Sequence, residues 1–170
     1  MMGRVDQMKN KKIFMLILLC AMLLGCSKAE RDQGAQREEA ANKVITAMFT
    51  GPNEDLCSES AFEMIGEGTE EPEEKGDGRE EVKQNWKDLV GVYFVSEVFD
   101  TFVEMGPANQ FLSEAYIREE TMSIEEIELS QKEEDTEVYL VHWVIGKEER
   151  EDKIFFRYDS EGLIEEVKVL

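Results

Sequence analysis

Histidine, cysteine and basic residues are scarce in this chain of 170 residues. The single histidine, His142, excludes metal sites that need several imidazole ligands and most triads in which histidine acts as the base. Lysine and arginine total 19 against 39 aspartates and glutamates, so the formal charge is −20. Nucleic-acid binding and electrostatic docking on anionic lipid both need clustered bases, and we expect neither here. The hydrophobic content of 42% is enough for one packed domain.

The sequence also lacks an apolar run long enough to span a bilayer, which takes roughly 20 residues. Its longest run, Ile13–Leu24, follows the basic residues Lys9, Lys11 and Lys12 and ends at Gly25. Basic patch, short apolar run and small residue are, in that order, the parts of a secretory signal peptide. We therefore predict that residues 1–25 are a signal peptide that is removed on export.

The tetrad Leu23-Leu24-Gly25-Cys26 resembles the lipobox of bacterial lipoproteins. The resemblance implies that the Cys26 thiol receives a diacylglyceryl group and that cleavage makes Cys26 the first residue. Two acyl chains hold a protein firmly on a membrane, whereas one chain binds only marginally. The expected location is the cell membrane, lipid-anchored, on the extracytoplasmic side. The alternative is an ordinary apolar helix that ends in Gly-Cys by chance.

Loss of the signal peptide and lipidation of Cys26 would leave Cys57 as the one free thiol. A single thiol cannot form an intrachain disulfide, so the exported domain must be held together by core packing. We expect Cys57 to be a small buried apolar residue. The alternative is a reactive or partner-bridging thiol.

Helical patterns fill the first half of the exported part. Residues 26–39 are polar and predict a flexible tether after the lipidated cysteine, followed by one domain over residues 40–170. Apolar residues recur with helical spacing over Ala40–Phe49, again after the N-cap Asn53, and over Glu80–Phe94. A further helix is expected from an N-cap at Ser96 to about Met105. Between them Gly66–Glu81 has no aliphatic or aromatic side chain and predicts an acidic surface loop.

The last fifty residues have strand character. Apolar residues on both faces of Val138–Ile145 predict a central strand, and a register irregularity is expected near Glu125-Glu126. Short turns, expected at Glu133–Asp135, Lys147–Asp152 and Asp159–Gly162, favour an antiparallel meander. The predicted class is α+β, with N-terminal helices packed on a curved, four-stranded C-terminal sheet.

Three segments, within residues 49–56, 93–102 and 162–167, resemble the NTF2-like (cystatin-like) domains of Firmicutes surface lipoproteins. The resemblance implies a cone, a bent sheet wrapped around helices, whose pocket holds small apolar ligands or isomerase chemistry in some relatives. Catalytic relatives such as ketosteroid isomerase need a carboxylate base and acid donors in an apolar cavity. No such set maps onto this sequence, so we assign no catalytic residue.

Four residues are candidates for the lining of a pocket: Trp86, Tyr93, His142 and Trp143. Aromatic side chains supply apolar area with a polar tip, and His142 could accept a proton or respond to pH. The alternative is that the aromatic residues form the helix–sheet core and that His142 is a hydrogen-bonded residue of the sheet. The sequence contains no cofactor motif and no set of metal ligands.

The functional prediction is a non-enzymatic binding or interaction module that meets an unknown envelope protein. The alternative is a small extracytoplasmic enzyme or a carrier of an apolar small molecule. A third option is a surface protein that responds to calcium through its acidic loop. A homodimer through a sheet edge or face is a further possible partner arrangement.

Overall fold

The computed structural model describes residues 33–57 and 77–170. The predicted signal peptide, the predicted lipobox with Cys26, the predicted second helix beyond Cys57 and most of the predicted acidic loop lie outside the described residues. Within the described residues, Arg37–Leu170 forms one compact unit. No helix of this described part is long and apolar enough to cross a membrane.

The first described helix, α1, covers residues 33–48. Residues 33–39 were predicted to belong to the tether but are helical, so α1 begins earlier than predicted. Six of these seven residues are Ala, Gln, Arg or Glu, which are good helix formers. The predicted apolar face is confirmed, with five side chains at most 1% exposed: Ala40, Ala41, Val44, Ile45 and Met48. Each large apolar side chain buried this fully contributes about 1.5–3 kcal/mol.

Helix α2, Asp77–Val90, also begins before its predicted start, so residues 77–81 are helical rather than part of the acidic loop. It ends at Val90 instead of Phe94, and a single tight turn, Gly91–Tyr93, follows. Val82, Trp86 and Val90 are buried as predicted, but Leu89, expected on the same face, is 46% exposed.

Helix α3, Ser96–Glu104, begins one residue earlier than an N-cap at Ser96 would place it, because the cap residue is Val95. Val95 is extended, and its N–H donates to the carbonyl of Ile164 at 3.0 Å. Phe94 forms a β-bridge with the same residue. This contact with the sheet fixes the break between the two helices, which the sequence predicted from the N-cap signal at Ser96.

Helix α4, Gln110–Arg118, is absent from the sequence predictions. A tight turn at Pro107–Asn109 precedes it, the helix has only nine residues, and its apolar residue Ile117 is exposed, so the helical period is short and hard to detect. Phe111 and Leu112 are buried in the core.

The sheet has the strand order β1-β2-β3-β4, and every neighbouring pair is antiparallel. The strands are β1 Met122–Lys132, β2 Thr136–Ile145, β3 Glu148–Tyr158 and β4 Ile164–Val169. The α+β class and the four-stranded antiparallel meander are therefore confirmed. The predicted irregularity of β1 lies between Ile124 and Glu126, and a second register shift lies between Leu129 and Gln131.

The turn predicted at Lys147–Asp152 is wrong. The connection is the tight turn at Gly146-Lys147, where Gly146 has a φ of +60°, and β3 already begins at Glu148. The charged residues from Glu148 to Asp152 suggested a loop. They are stable in a strand because they pair with β2 alone, beyond the end of β4, where their side chains form ion pairs.

Alternation along β2 divides the sheet into two faces, as predicted. The side chains of Tyr139, Val141, Trp143 and Ile145 are buried against the helices. His142, by contrast, belongs to the outer face and is only partly buried.

Candidate functional site

Trp86, on α2, belongs to the core between the helices. Its exposure is 0%, and its ring meets Phe102 edge-on at a centroid distance of 5.6 Å. The indole Nε1 donates to the carbonyl of Leu56 at 2.9 Å and approaches the side-chain oxygen of Asn109 at 3.3 Å. Both its apolar surface and its polar tip are therefore committed to contacts within the domain.

Trp143, on β2, occupies the space between the sheet and the helices. Its ring lies 5.3 Å from Phe49 and 5.4 Å from Phe111, and these two phenylalanines stack at 4.0 Å. Its Nε1 donates to a carboxylate oxygen of Asp152 at 2.8 Å, and the Arg150 guanidinium lies 5.2 Å from its ring. Aromatic rings thus fill this part of the interior.

Tyr93 and His142 lie at two other places. The Tyr93 hydroxyl donates to Glu39 of α1 at 3.1 Å, and burial together with this acid raises the pKa of Tyr93. His142 lies on the outer face of the sheet, with Nδ1 3.7 Å from a carboxylate oxygen of Glu151. His142 and Trp143 are consecutive on one strand and point to opposite faces. The structure therefore does not bring the four predicted residues together.

A buried carboxylate at one end of the sheet was missed from the sequence. The side chain of Glu137, on β2, is fully buried. It accepts hydrogen bonds from Lys132 Nζ at 2.6 Å, from the Tyr139 hydroxyl at 2.8 Å and from the Tyr158 hydroxyl at 3.3 Å. Alternation was the available signal, because a step of two residues from Tyr139 places Glu137 on the inner face. Three donors compensate the cost of burying this charge.

The two tyrosines of this cluster stay protonated. Burial first, and then the hydrogen bond to Glu137, raises the pKa of Tyr139 well above its ordinary value of 10. Burial, followed by the charge of Glu137, raises the pKa of Tyr158 in the same direction. A carboxylate and two phenol donors could carry acid–base chemistry if a substrate reached them. Here the donors and the acceptor satisfy one another, so the cluster acts as a structural network.

Arg37 connects this network to the start of the compact unit. Its guanidinium donates to the carbonyl of Glu134 at 2.8 Å and more weakly to that of Asp159 at 3.5 Å. The same group lies 5.0 Å from the ring of Tyr158, whose hydroxyl approaches the Arg37 carbonyl at 3.3 Å. We call these contacts the Arg37 clamp. We call the end of the sheet that holds the turns 133–135 and 159–163 the clamp end.

The opposite end of the sheet, with the turn at 146–147, is the far end. Arg118 of α4 pairs there with Glu114 at 3.1 Å, Glu120 at 2.7 Å and Glu148 at 2.9 Å. Arg150 adds pairs with Glu114 at 2.9 Å and Glu148 at 2.7 Å. Hydrogen bonds from Arg118 and then from Arg150 lower the pKa of Glu148 to about 2. This exposed network connects α4 to β3.

A groove of about 480 Å³ opens between α1 and α2. Polar side chains of α1, among them Asn42, Lys43 and Thr46, line it together with Leu56 and the exposed Leu89. None of the four residues predicted to line a pocket belongs to its lining. The groove has an apolar strip with a polar wall, which is a surface for contact rather than an enclosed reaction chamber.

Metal binding finds no support in the described ranges. Across residues 33–57 and 77–170, no group of three or more His, Cys, Asp or Glu side chains is arranged to hold a metal ion. Cys57 is free and 1% exposed, as expected of a small buried residue, and burial raises the pKa of its thiol.

Comparison with family models, with curated proteins and with solved structures finds no match to this chain. The fold and the candidate sites are therefore defined by the α+β meander and by the contacts described above.

Proposed function

We propose that this chain is a bacterial lipoprotein, held through Cys26 on the outer side of the cytoplasmic membrane. Its domain is a non-enzymatic binding or interaction module with an NTF2-like architecture. The anchor is supported by the order of basic patch, apolar run and Leu23-Leu24-Gly25-Cys26. The architecture is supported by helices that precede a bulged antiparallel meander and pack on one of its faces.

The observation that carries the module function is the packed interior. Phe49 and Phe111 stack, and both meet Trp143 edge-on, in the space between sheet and helices that an internal pocket would need. Polar groups near this core are already paired, as Trp143 with Asp152 and Tyr139 with Glu137 illustrate. An interior filled in this way favours binding through the surface.

A labelling experiment tests the anchor. The full chain is expressed in a bacterial host that is fed an alkyne fatty acid, and the label is then detected on the purified protein. Cys26→Ser is expected to abolish the label and to retain an uncleaved precursor mass. Cys20→Ala is the matched control, because it changes a thiol within the apolar run and should leave label and cleavage intact. Label that persists in Cys26→Ser would refute the anchor.

Native mass spectrometry tests the module against the alternative of a carrier of apolar molecules. The lipidated chain is extracted from the host envelope in mild detergent and measured without denaturation. We expect the mass of the lipidated polypeptide alone. A reproducible added mass that organic solvent removes would favour the carrier and count against a filled interior.

A further inference from the structure

The two ends of the sheet differ in their position relative to helix α1. Helix α1 begins at the clamp end, where Arg37 contacts the carbonyls of Glu134 and Asp159. The chain that leaves α1 reaches the far end, where Gly51 pairs with Met122 through two backbone hydrogen bonds of 3.0 and 2.7 Å. The helix therefore runs along the strands from one end of the sheet to the other. The attachment point of the compact unit is at the clamp end.

The chain between Cys26 and α1 is short relative to the domain. Six residues lie between Cys26 and residue 33, and the seven residue-to-residue steps across them span at most about 25 Å even when the chain is fully extended. The four helical steps from residue 33 to Arg37 add about 6 Å. A strand of ten residues, such as β2, is itself about 33 Å long. If the domain were turned the other way, Arg37 would lie about one strand length from the membrane. The chain from Cys26 to Arg37 is therefore too short for that orientation.

We propose that the clamp end faces the membrane and that the far end points away from it. This orientation rests on the proposed lipid anchor. The exposed turn Glu133-Glu134-Asp135 then faces the lipid headgroups and carries three acids. Anionic lipid does not attract such an acidic turn, so the acyl chains alone supply the attachment and the turn does not bind the membrane surface. The far end, with the exposed Ile117 of α4 and the Arg118 pairs, then lies on the side away from the membrane.

Energy transfer to labelled lipid measures this orientation. The full lipidated chain is purified from a bacterial host and reconstituted in nanodiscs that contain a trace of headgroup-labelled acceptor lipid. A donor dye is attached either at Glu134→Cys of the clamp end or at Lys147→Cys of the far end, two exposed positions. Because the two sites are about 30 Å apart along the strands, we expect transfer from position 134 to be about twofold stronger or more. The chain without an introduced cysteine corrects for labelling of the buried Cys57.

Two further chains make the outcomes separable. A long Gly/Ser insertion between residues 32 and 33 should abolish the difference between the two positions, and a difference that persists would overturn the tether argument. Equal or reversed transfer from a chain that is still lipidated would overturn the orientation alone. A chain that begins at Ser27, and so has neither the apolar run nor Cys26, should show no transfer from either position. Transfer that survives this truncation would instead overturn the anchor itself.

Discussion

The two ends of the sheet use the same kinds of charged residue in opposite environments. At the clamp end, one carboxylate, Glu137, is fully buried and accepts bonds from two buried tyrosines and from Lys132. At the far end, Arg118 and Glu148 belong to a network at the surface. Exposed ion pairs contribute little because water and salt screen them, whereas a buried network costs a great deal when one member is lost. The clamp end should therefore be the more sensitive one.

The largest effect is expected from Glu137→Ala. This change leaves the hydroxyls of Tyr139 and Tyr158 buried without their acceptor, and we expect the free energy of unfolding to fall by about 3 kcal/mol. Urea denaturation at neutral pH measures it. Glu148→Ala, at the far end, is the matched control and should cost much less. Comparable losses in the two variants would mean that burial does not distinguish the two ends.

A second effect is expected at alkaline pH, again at the clamp end. Because burial raises the pKa of Tyr139 in the folded state above its ordinary value of 10, the unfolded chain loses this proton first. The contribution of Tyr139 to stability is present below about pH 10 and decreases as the pH rises further. Tyr139→Phe should lower stability by about 1 kcal/mol at neutral pH and make the alkaline decrease shallower. Urea denaturation across the alkaline range measures both, and an unchanged alkaline slope would contradict the assignment.

A smaller and local effect is expected from the Arg37 clamp. Arg37→Met keeps the length of the side chain but removes the bonds to the two turns and the cation over Tyr158, a contact worth about 0.5–1 kcal/mol. Amide hydrogen exchange in the first turns of α1 should become faster, while exchange in the sheet changes little. Arg118→Met at the far end should leave α1 unchanged. Equal exchange in α1 of both variants would show that the clamp does not hold the helix.

The difference between the two ends also explains what the sequence could predict. Periodic apolar patterns predicted α1, the strands of the meander and the bulge near Glu125, because core burial imposes those periods. The break before α3 was predicted from the N-cap signal at Ser96, but its position depends on the contact of Val95 with Ile164, which is distant in sequence.

Charge without periodicity was harder to interpret. The charged segment Glu148–Asp152 suggested a turn, although the ion pairs with α4 keep it in β3. The same difficulty concealed the clamp, because its partners Arg37, Glu134 and Asp159 lie far apart in the sequence. The aromatic candidates Trp86 and Trp143 were placed on the correct elements, but no spacing rule could show that they occupy separate parts of the core.

The smallest effect is expected at the far end in acid. Arg118 and Arg150 lower the pKa of Glu148 from an ordinary 4.5 to about 2. A carboxylate with a depressed pKa contributes stability above its unfolded pKa, and this contribution is lost as the pH falls from 4.5 through about 2. Glu148→Gln should therefore make the acid decrease in stability shallower, as urea denaturation between these pH values would measure. Because the network is exposed, salt near 1 M should remove most of the difference between variant and parent. A difference that resists salt would mean that the far end is buried, and the contrast with the clamp end would no longer hold.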